Sequence, residues 1–565
     1  MPAYDTIIRG GTVIDGMRMP RYQADVGIKD GRIAAIGRLR PHDGVTVLDA
    51  NGLIVAPGFI DLHTHYDAQV FWDPYCSISS WHGITSVVIG NCGFGFAPVR
   101  PAERQRSMLT MTRVEAIPLA SMQAGMPWDW ETYPEFLDSL ERTPKGINVL
   151  PFMPVAPLLT YVMGLDAAKT RLPSPDEERH ICRLLHEALD AGACGWSAQR
   201  LPPTGPACVQ RDYDGTPMVT DVMSDDTCLA LARVLGERSE GFIQMTLTSD
   251  NLQHDLLHFE DLATVSGRPI LYNVVQCNDR HPNRHRRLLN WLDACRQKGL
   301  RIYGQAVSTD AGFTFTFEDW NLFDDSEVWC DATTGSHAEK LAKLSDPSRR
   351  EALRTQLPTI VLSSFADVFI IEVLQPHLKP FENLSLQEAA ERMGKHPIDA
   401  MLDLTVADDL RTTFYLPGLN RRVDLLQELV DYEWALFGVS DGGAHTKFFT
   451  AGRYPTETIT RMVREHNMLS LEDAHWRLSA LPAWCAGFHD RGVLREGAPA
   501  DIVVYDYDHL TVTPTEVAYD LPGGEWRRVQ RAEGYRCILV NGQITFADGQ
   551  CTEATPGKLL RHGRG

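Results

Sequence analysis

The 565-residue chain contains no C-x-x-C pair, and its twelve cysteines follow no regular spacing. That excludes a disulfide framework or a zinc ribbon and reads as the reduced, buried thiols of a cytoplasmic protein. No stretch approaches the ~20 apolar residues that a membrane helix needs. Positive charge is scarce: 54 Lys and Arg against 74 Asp and Glu leave a net charge of −20 at pH 7. A surface of that sign repels phosphate, so neither nucleic acid nor an anionic membrane is an expected partner. The opening residues, Met1-Pro2-Ala3-Tyr4-Asp5, lack a basic segment and a long apolar core, so no signal peptide is expected. What the chain does hold is 44 % hydrophobic and 23 % charged residues, enough to bury a large core at a length that exceeds one ordinary domain.

One stretch organises the rest: Pro57-Gly58-Phe59-Ile60-Asp61-Leu62-His63-Thr64-His65-Tyr66-Asp67, entered from the apolar run Leu53 to Val55. Residues i and i+2 of a strand share a face, so His63 and His65 aim their imidazoles at one point. Two convergent imidazoles are the usual start of a transition-metal site.

The segments on either side suggest how this stretch is housed. Tyr4 to Leu53 reads as short β-branched strands with hairpin signals at Asp30-Gly31 and Asn51-Gly52. The same chemistry returns at Ala500–Asp506 and Ile538–Ile544, so the two chain ends are expected to pair into one small β-domain. Between them, apolar strands alternate with amphipathic helices, as a parallel α/β barrel requires. The strands are expected near 84–90, 147–152, 194–197, 242–246, 269–275, 301–305 and 435–441. One helix start is explicit: Ser174 caps, Pro175 suits the first helical position, and Glu177 completes a capping box. The gap before the last strand is far longer than a barrel loop needs, so an insertion, expected to be helical and to cap the mouth, falls at about 313–432. The domain bounds that follow are 1–55 with 490–565 for the β-domain and 56–489 for the barrel.

In such a barrel, function sits at the C-terminal ends of the strands. The first strand ends in His63 and His65. The second ends in Gly90-Asn91-Cys92-Gly93, and the last in Ser440-Asp441-Gly442-Gly443-Ala444-His445. Taken together, these motifs resemble the amidohydrolase superfamily and, within it, the N-acyl-D-amino-acid deacylases (D-aminoacylases). The resemblance extends to the Asp520-Leu521-Pro522-Gly523-Gly524 segment and the Gly557–Arg561 tail. It implies a (β/α)8 TIM-type barrel inserted in a split β-sandwich, a metal-dependent amidohydrolase activity, Cys92 as a metal ligand and Asp441 as ligand and catalytic acid/base. Zinc, as one ion, is the expected cofactor, with another divalent metal as the alternative. Two departures stand out. The family ends its fifth and sixth strands in metal-binding histidines, where this chain has Thr246 and Asn273. It also carries a carboxylate-gripping lysine just past the sixth-strand histidine, where this chain has Val274-Val275.

Other residues near the strand ends suggest substrate contacts. His445 lies near the mouth, with Lys447 beside it, and Trp72, Phe94 and Phe96 next to the motif loops suggest an apolar pocket for an acyl or aryl group. His82, at the opposite end of the second strand, reads as structural; the loop residues His254, His258, His281 and His285 could substitute for the two missing histidines, although a loop histidine is usually solvent-facing. Three functions remain open at this point. The first is a hydrolase of a linear amide of the N-acyl-D-amino-acid type. The second is an amidohydrolase acting on a cyclic or aryl amide without an amino-acid carboxylate. The third is a metal-free, non-catalytic barrel used for binding or assembly. The expected partner is a small-molecule amide, and a homo-oligomer is compatible with everything above.

Overall fold

The computed structural model describes residues 2–203, 205, 207–249, 251–278, 281–310, 312–358, 364–418 and 420–562. The fold is mixed α/β, and among the described residues no helix is long and apolar enough to cross a membrane. All twelve cysteines are free thiols.

The chain ends meet in one nine-stranded sheet. Ile502–Tyr505 lies between Ile54–Pro57 and Tyr535–Val540 and is antiparallel to both, with Val504 opposite Val55 and Cys537. Alternate residues of these strands, Val13, Val26, Val55, Ile502, Val504 and Leu539 among them, bury one apolar layer. Period-2 alternation is what puts them on one face.

This sheet takes Ile54–Pro57, the run that the sequence reading joined to the histidine-bearing strand. The chain enters this strand at Ile54 and leaves it at Pro57; a new strand starts at Phe59. Gly58 sits so close to Thr85 that an added Cβ would lie 2.3 Å from its side chain, which permits the change of sheet at that residue.

Parallel strands follow, here β1 (Phe59–Asp61), β2 (Ile84–Ile89), β3 (Asn148–Pro151), β4 (Gly195–Arg200), β5 (Phe242–Leu247), β6 (Ile270–Val275), β7 (Ile302–Val307) and β8 (Leu436–Gly438). They form two arcs. One pairs β1, β2 and β3. The other runs from Met153–Pro154, directly after β3, through β4, β5, β6 and β7 to β8. The far ends approach where Thr64 bridges Gly442 in parallel sense and the His65 N–H donates to the Gly442 carbonyl at 2.7 Å. The strands are almost wholly buried and rich in Val, Ile and Leu, as parallel strands covered on both faces must be. The covering helix Pro175–Ala191 begins with the capping box read from Ser174 and Glu177 and buries Ile181, Leu185, Ala188 and Leu189.

The segment between β7 and β8 has its own apolar core, with Phe315, Phe317, Trp329, Ile370, Leu402 and Phe414 at its centre. It is not purely helical. Phe313–Phe315, Thr413–Leu416 and Phe369–Glu372 form a three-stranded antiparallel sheet. Strands this short, paired across such long chain separations, leave little periodic signal.

Candidate metal centre

β1 ends at Asp61, and His63 and His65 lie just beyond it rather than within it. Their convergence comes from anchoring on both sides. The Asp61 carboxylate accepts from the His63 N–H at 3.0 Å, the Thr64 hydroxyl donates to the Val88 carbonyl at 2.7 Å, and the Ser440 hydroxyl donates to the His63 carbonyl at 3.3 Å. Gly443, at φ 91°, allows the loop from β8 to press on this segment; a Cβ there would lie 2.6 Å from the His65 carbonyl oxygen.

His63 Nδ1 lies 3.2 Å from Gln305 Oε1 on β7 and serves as its donor, leaving Nε2 as the lone-pair nitrogen. The two rings are edge-on with centroids 5.5 Å apart. Cys92 turns in from the end of β2, its N–H donating to Gln244 Oε1 at 2.7 Å and its Sγ 3.5 Å from His63 Nε2. Asp441 arrives from the loop after β8, with Oδ1 3.4 Å from His63 Nε2 and 3.8 Å from His65 Nε2. Ligand atoms of His63, His65 and Cys92 lie within 4.8 Å of one another, all three residues buried.

This donor set fits a divalent cation of the zinc type: two imidazoles and a thiol come together in a buried site, with the Asp441 carboxylate beside the histidines at 3.4 and 3.8 Å. Burial lowers the pKa of His63 and drives that of His65 well down, the neighbouring imidazole charges adding to the effect at His65. Both are therefore the neutral imidazoles that a metal requires. Burial, and then the nearby Glu115 charge, raise the Cys92 thiol well above its ordinary value.

The backbone is strained at several of these residues. Cys92, Val439, Asp441 and His445 all have left-handed φ, at 56°, 59°, 48° and 50°. A β-branched residue such as Val439 adopts this region at real cost, and such strain gathers where geometry is dictated by function.

The positions where the family carries histidines hold a different arrangement. Asn273 Nδ2 donates to Thr246 Oγ1 at 2.8 Å, and that hydroxyl is 3.6 Å from Cys92 Sγ. Glu115 is a member of the site that sequence reasoning missed. It caps the C-terminal end of the helix Arg104–Val114, is 3 % exposed, and has Oε2 3.7 Å from His65 Nε2 and 3.3 Å from His445 Nε2. No motif or spacing announces it.

His445 stands against Glu115 and under Trp320 of the segment between β7 and β8, the His445 and Trp320 ring centroids 4.5 Å apart. Lys447 points elsewhere, paired with Glu525 at 2.8 Å. Phe94 lines a cavity of about 180 Å3 with Val99, Met111, Leu165, Met218 and Val219. Phe96 is buried edge-on to Trp128, and the Trp72 ring packs over Gly125, where a Cβ would meet it at 2.3 Å. Trp72 also borders a cavity with Asp73, Tyr75, Trp81 and Arg527, which none of the metal-site donors lines. His82 is buried between the Thr456 hydroxyl and the Gln530 carbonyl, a structural position. Three of the histidines read as loop residues lie on helices, His254 and His258 on Leu252–Ser266 and His285 on Asn283–Gln297; two of these are not solvent-facing, His285 being buried against Glu428 at 2.9 Å and His258 3 % exposed.

Comparison with known proteins places this geometry in context. The model of the amidohydrolase family matches residues 46–200 and 377–546. An N-acyl-D-aspartate deacylase of Alcaligenes xylosoxydans xylosoxydans is 28 % identical over 99 % of this chain and 95 % of its own. A D-aminoacylase from the same organism is 26 % identical over 99 % of this chain and 97 % of its own. Among solved structures, the N-acyl-D-glutamate deacylase of Bordetella bronchiseptica, complexed with zinc and a phosphonate mimic of the tetrahedral intermediate, superposes with a TM-score of 0.69. It is 25 % identical, with 99 % of each chain covered.

Proposed function

The chain belongs to the amidohydrolase family, and from that premise we propose that it is a metal-dependent hydrolase of a linear amide C–N bond, of the N-acyl-D-amino-acid deacylase type. The observation that carries this reading is the convergence of His63, His65 and Cys92 within 4.8 Å, with the Asp441 carboxylate 3.4 Å from His63. A divalent cation in that cradle supplies an acidified water and a Lewis-acidic contact for the amide carbonyl.

The rest of the reaction falls to the chain's own residues. Asp441 turns Oδ1 to the histidines, which leaves Oδ2 for the proton. It is the most exposed of these donors, at 26 % of its side chain against 1 % and 2 % for the histidines, so it alone can reach a bound substrate from the mouth. It accepts the proton of the attacking water and delivers it to the departing nitrogen, which leaves poorly as an anion. His63, held by Gln305, keeps its lone pair on Nε2 throughout. Phe94 and its apolar cavity suit the acyl side of the substrate.

The same reading takes the two parallel arcs as one (β/α)8 barrel closed at Thr64 and Gly442. It takes 1–55 with 490–565 as the β-domain that carries the barrel, and 313–432 as an insertion over the mouth. A cyclic or aryl amide without an amino-acid carboxylate is the second reading, favoured by Val274-Val275 where the family has its gripping lysine. The test is hydrolysis of a panel of N-acyl-D-amino acids, N-acyl-L-amino acids, cyclic amides and aryl amides by zinc-loaded protein. Turnover confined to N-acyl-D-amino acids supports the first reading, turnover confined to amides without a carboxylate the second, and no turnover of any member overturns both.

A further inference from the structure

The donor atoms around His65 reach further than the residues assigned above. In a tetrahedral zinc site with bonds of 2.0–2.1 Å to nitrogen or oxygen, neighbouring ligand atoms stand about 3.4 Å apart, and slightly more when one is sulfur. The separations here follow that edge length: 3.4 Å from His63 Nε2 to Asp441 Oδ1, 3.5 Å from His63 Nε2 to Cys92 Sγ, and 3.8 Å from His65 Nε2 to Asp441 Oδ1. Glu115 Oε2 stands at a comparable 3.7 Å from one of these donors, His65 Nε2, beside the group that His63, His65 and Cys92 form within 4.8 Å.

Glu115 is held there by design of the surrounding chain. The helix Arg104–Val114 ends at Glu115, and Ala116 turns the chain sharply at φ 51°. The Glu115 carbonyl accepts from the His445 N–H at 2.7 Å, while its carboxylate faces His445 Nε2 at 3.3 Å. Trp320 of the inserted segment fixes the His445 ring from its other face. A carboxylate only 3 % exposed is expensive to bury unless it meets a cation or several donors. Among the described residues no Lys or Arg pairs with it; the groups it faces are His65 and His445.

We propose that Glu115 is a further ligand of the cation, oriented by His445, and that it supplies the donor lost where Thr246 and Asn273 replace histidines. The assignment rests on the metal-site reading above. Relative to a histidine-rich set, it shifts the donor set from imidazole nitrogen toward carboxylate oxygen and adds negative charge that balances the cation. His445 is a positioning residue: its Nε2 stands 3.3 Å from Glu115 Oε2 and sets the direction of the carboxylate.

The test is zinc affinity by chelator competition, with the visible absorption of the cobalt(II)-substituted protein, in the full chain and in Glu115→Gln. Retained helicity and melting of the zinc-free variant establish that it is folded. The expected result is zinc binding weaker by at least about ten-fold, the range in which even an outer-shell partner acts, with a changed cobalt absorption as coordination number changes. Unchanged affinity together with an unchanged cobalt spectrum overturns the assignment. Should Glu115→Gln fail to fold, Glu115→Asp decides. Its shorter carboxylate is expected to alter the cobalt spectrum, and an unaltered spectrum with unaltered affinity again overturns the assignment. A wild-type chain that binds no zinc at all overturns instead the metal-site reading beneath it.

Discussion

Asn273 Nδ2 donates a hydrogen bond to Thr246 Oγ1 at 2.8 Å, and the two side chains close off the side of the site where the family carries two histidines. Neither group is a usual ligand for zinc, and each uses the other as its polar partner. The pair should therefore limit the site to one ion. Thr246→His with Asn273→His should raise the bound zinc from one to two equivalents per chain, as measured by elemental analysis after desalting. A double variant that still holds one ion would show that the missing histidines are not what sets the stoichiometry.

Asp441 lies against both histidines yet keeps a quarter of its side chain open to the mouth. Asp441→Asn preserves shape and removes the proton acceptor. Turnover of the best amide substrate should fall by at least about 100-fold, the usual range for a lost acid/base group, with the fold intact by circular dichroism. Full activity in this variant would remove Asp441 from the chemistry.

How much of this was visible beforehand depended on whether contacts are local. The His63 and His65 pair was legible because its spacing is short and its face is set by backbone geometry alone. Cys92 and Asp441 were legible only through the resemblance of their motifs, since a buried cysteine and an aspartate before glycines have common structural roles. Glu115 was not legible: it ends a surface helix, and only folding brings it to His445 and His65. The same holds for Ile54–Pro57, whose apolar run fits either sheet until its partner Ile502–Tyr505 is known. Trp72 and Phe96 follow the motif loops in sequence, but the Phe96 ring packs edge-on to Trp128 and Trp72 borders a cavity away from the metal-site donors.

Two buried histidines outside the site predict how stability depends on pH. Burial depresses His82 to about 4 and His475 to about 3. His82 bonds the Thr456 hydroxyl and His475 the Tyr505 hydroxyl. Both are neutral in the folded protein and take up protons at about 6.5 when unfolded. Their contribution is complete above about pH 6.5 and is lost progressively as pH falls toward 4 and then 3, because the unfolded state binds more protons in that window. Denaturant midpoints should decline over this range, and His82→Gln, which keeps a polar partner and does not titrate, should decline less steeply. An equal slope in the variant would contradict the assignment.

Cys92 lies 3.5 Å from His63 Nε2 and 3.6 Å from the Thr246 hydroxyl. Cys92→Ser should weaken zinc binding by roughly ten-fold or more while leaving the melting of the zinc-free protein within a few degrees, because the buried serine retains Thr246 as a polar partner. Affinity equal to wild type would make Cys92 a packing residue.

The most direct test measures zinc content and amide hydrolysis on the same preparation, before chelation, after exhaustive chelation, and after zinc is returned. The account predicts that turnover falls in proportion to the zinc removed and recovers when zinc is restored to wild type, but not to a His63→Ala, His65→Ala chain. Hydrolysis that continues undiminished after the metal is gone would contradict it.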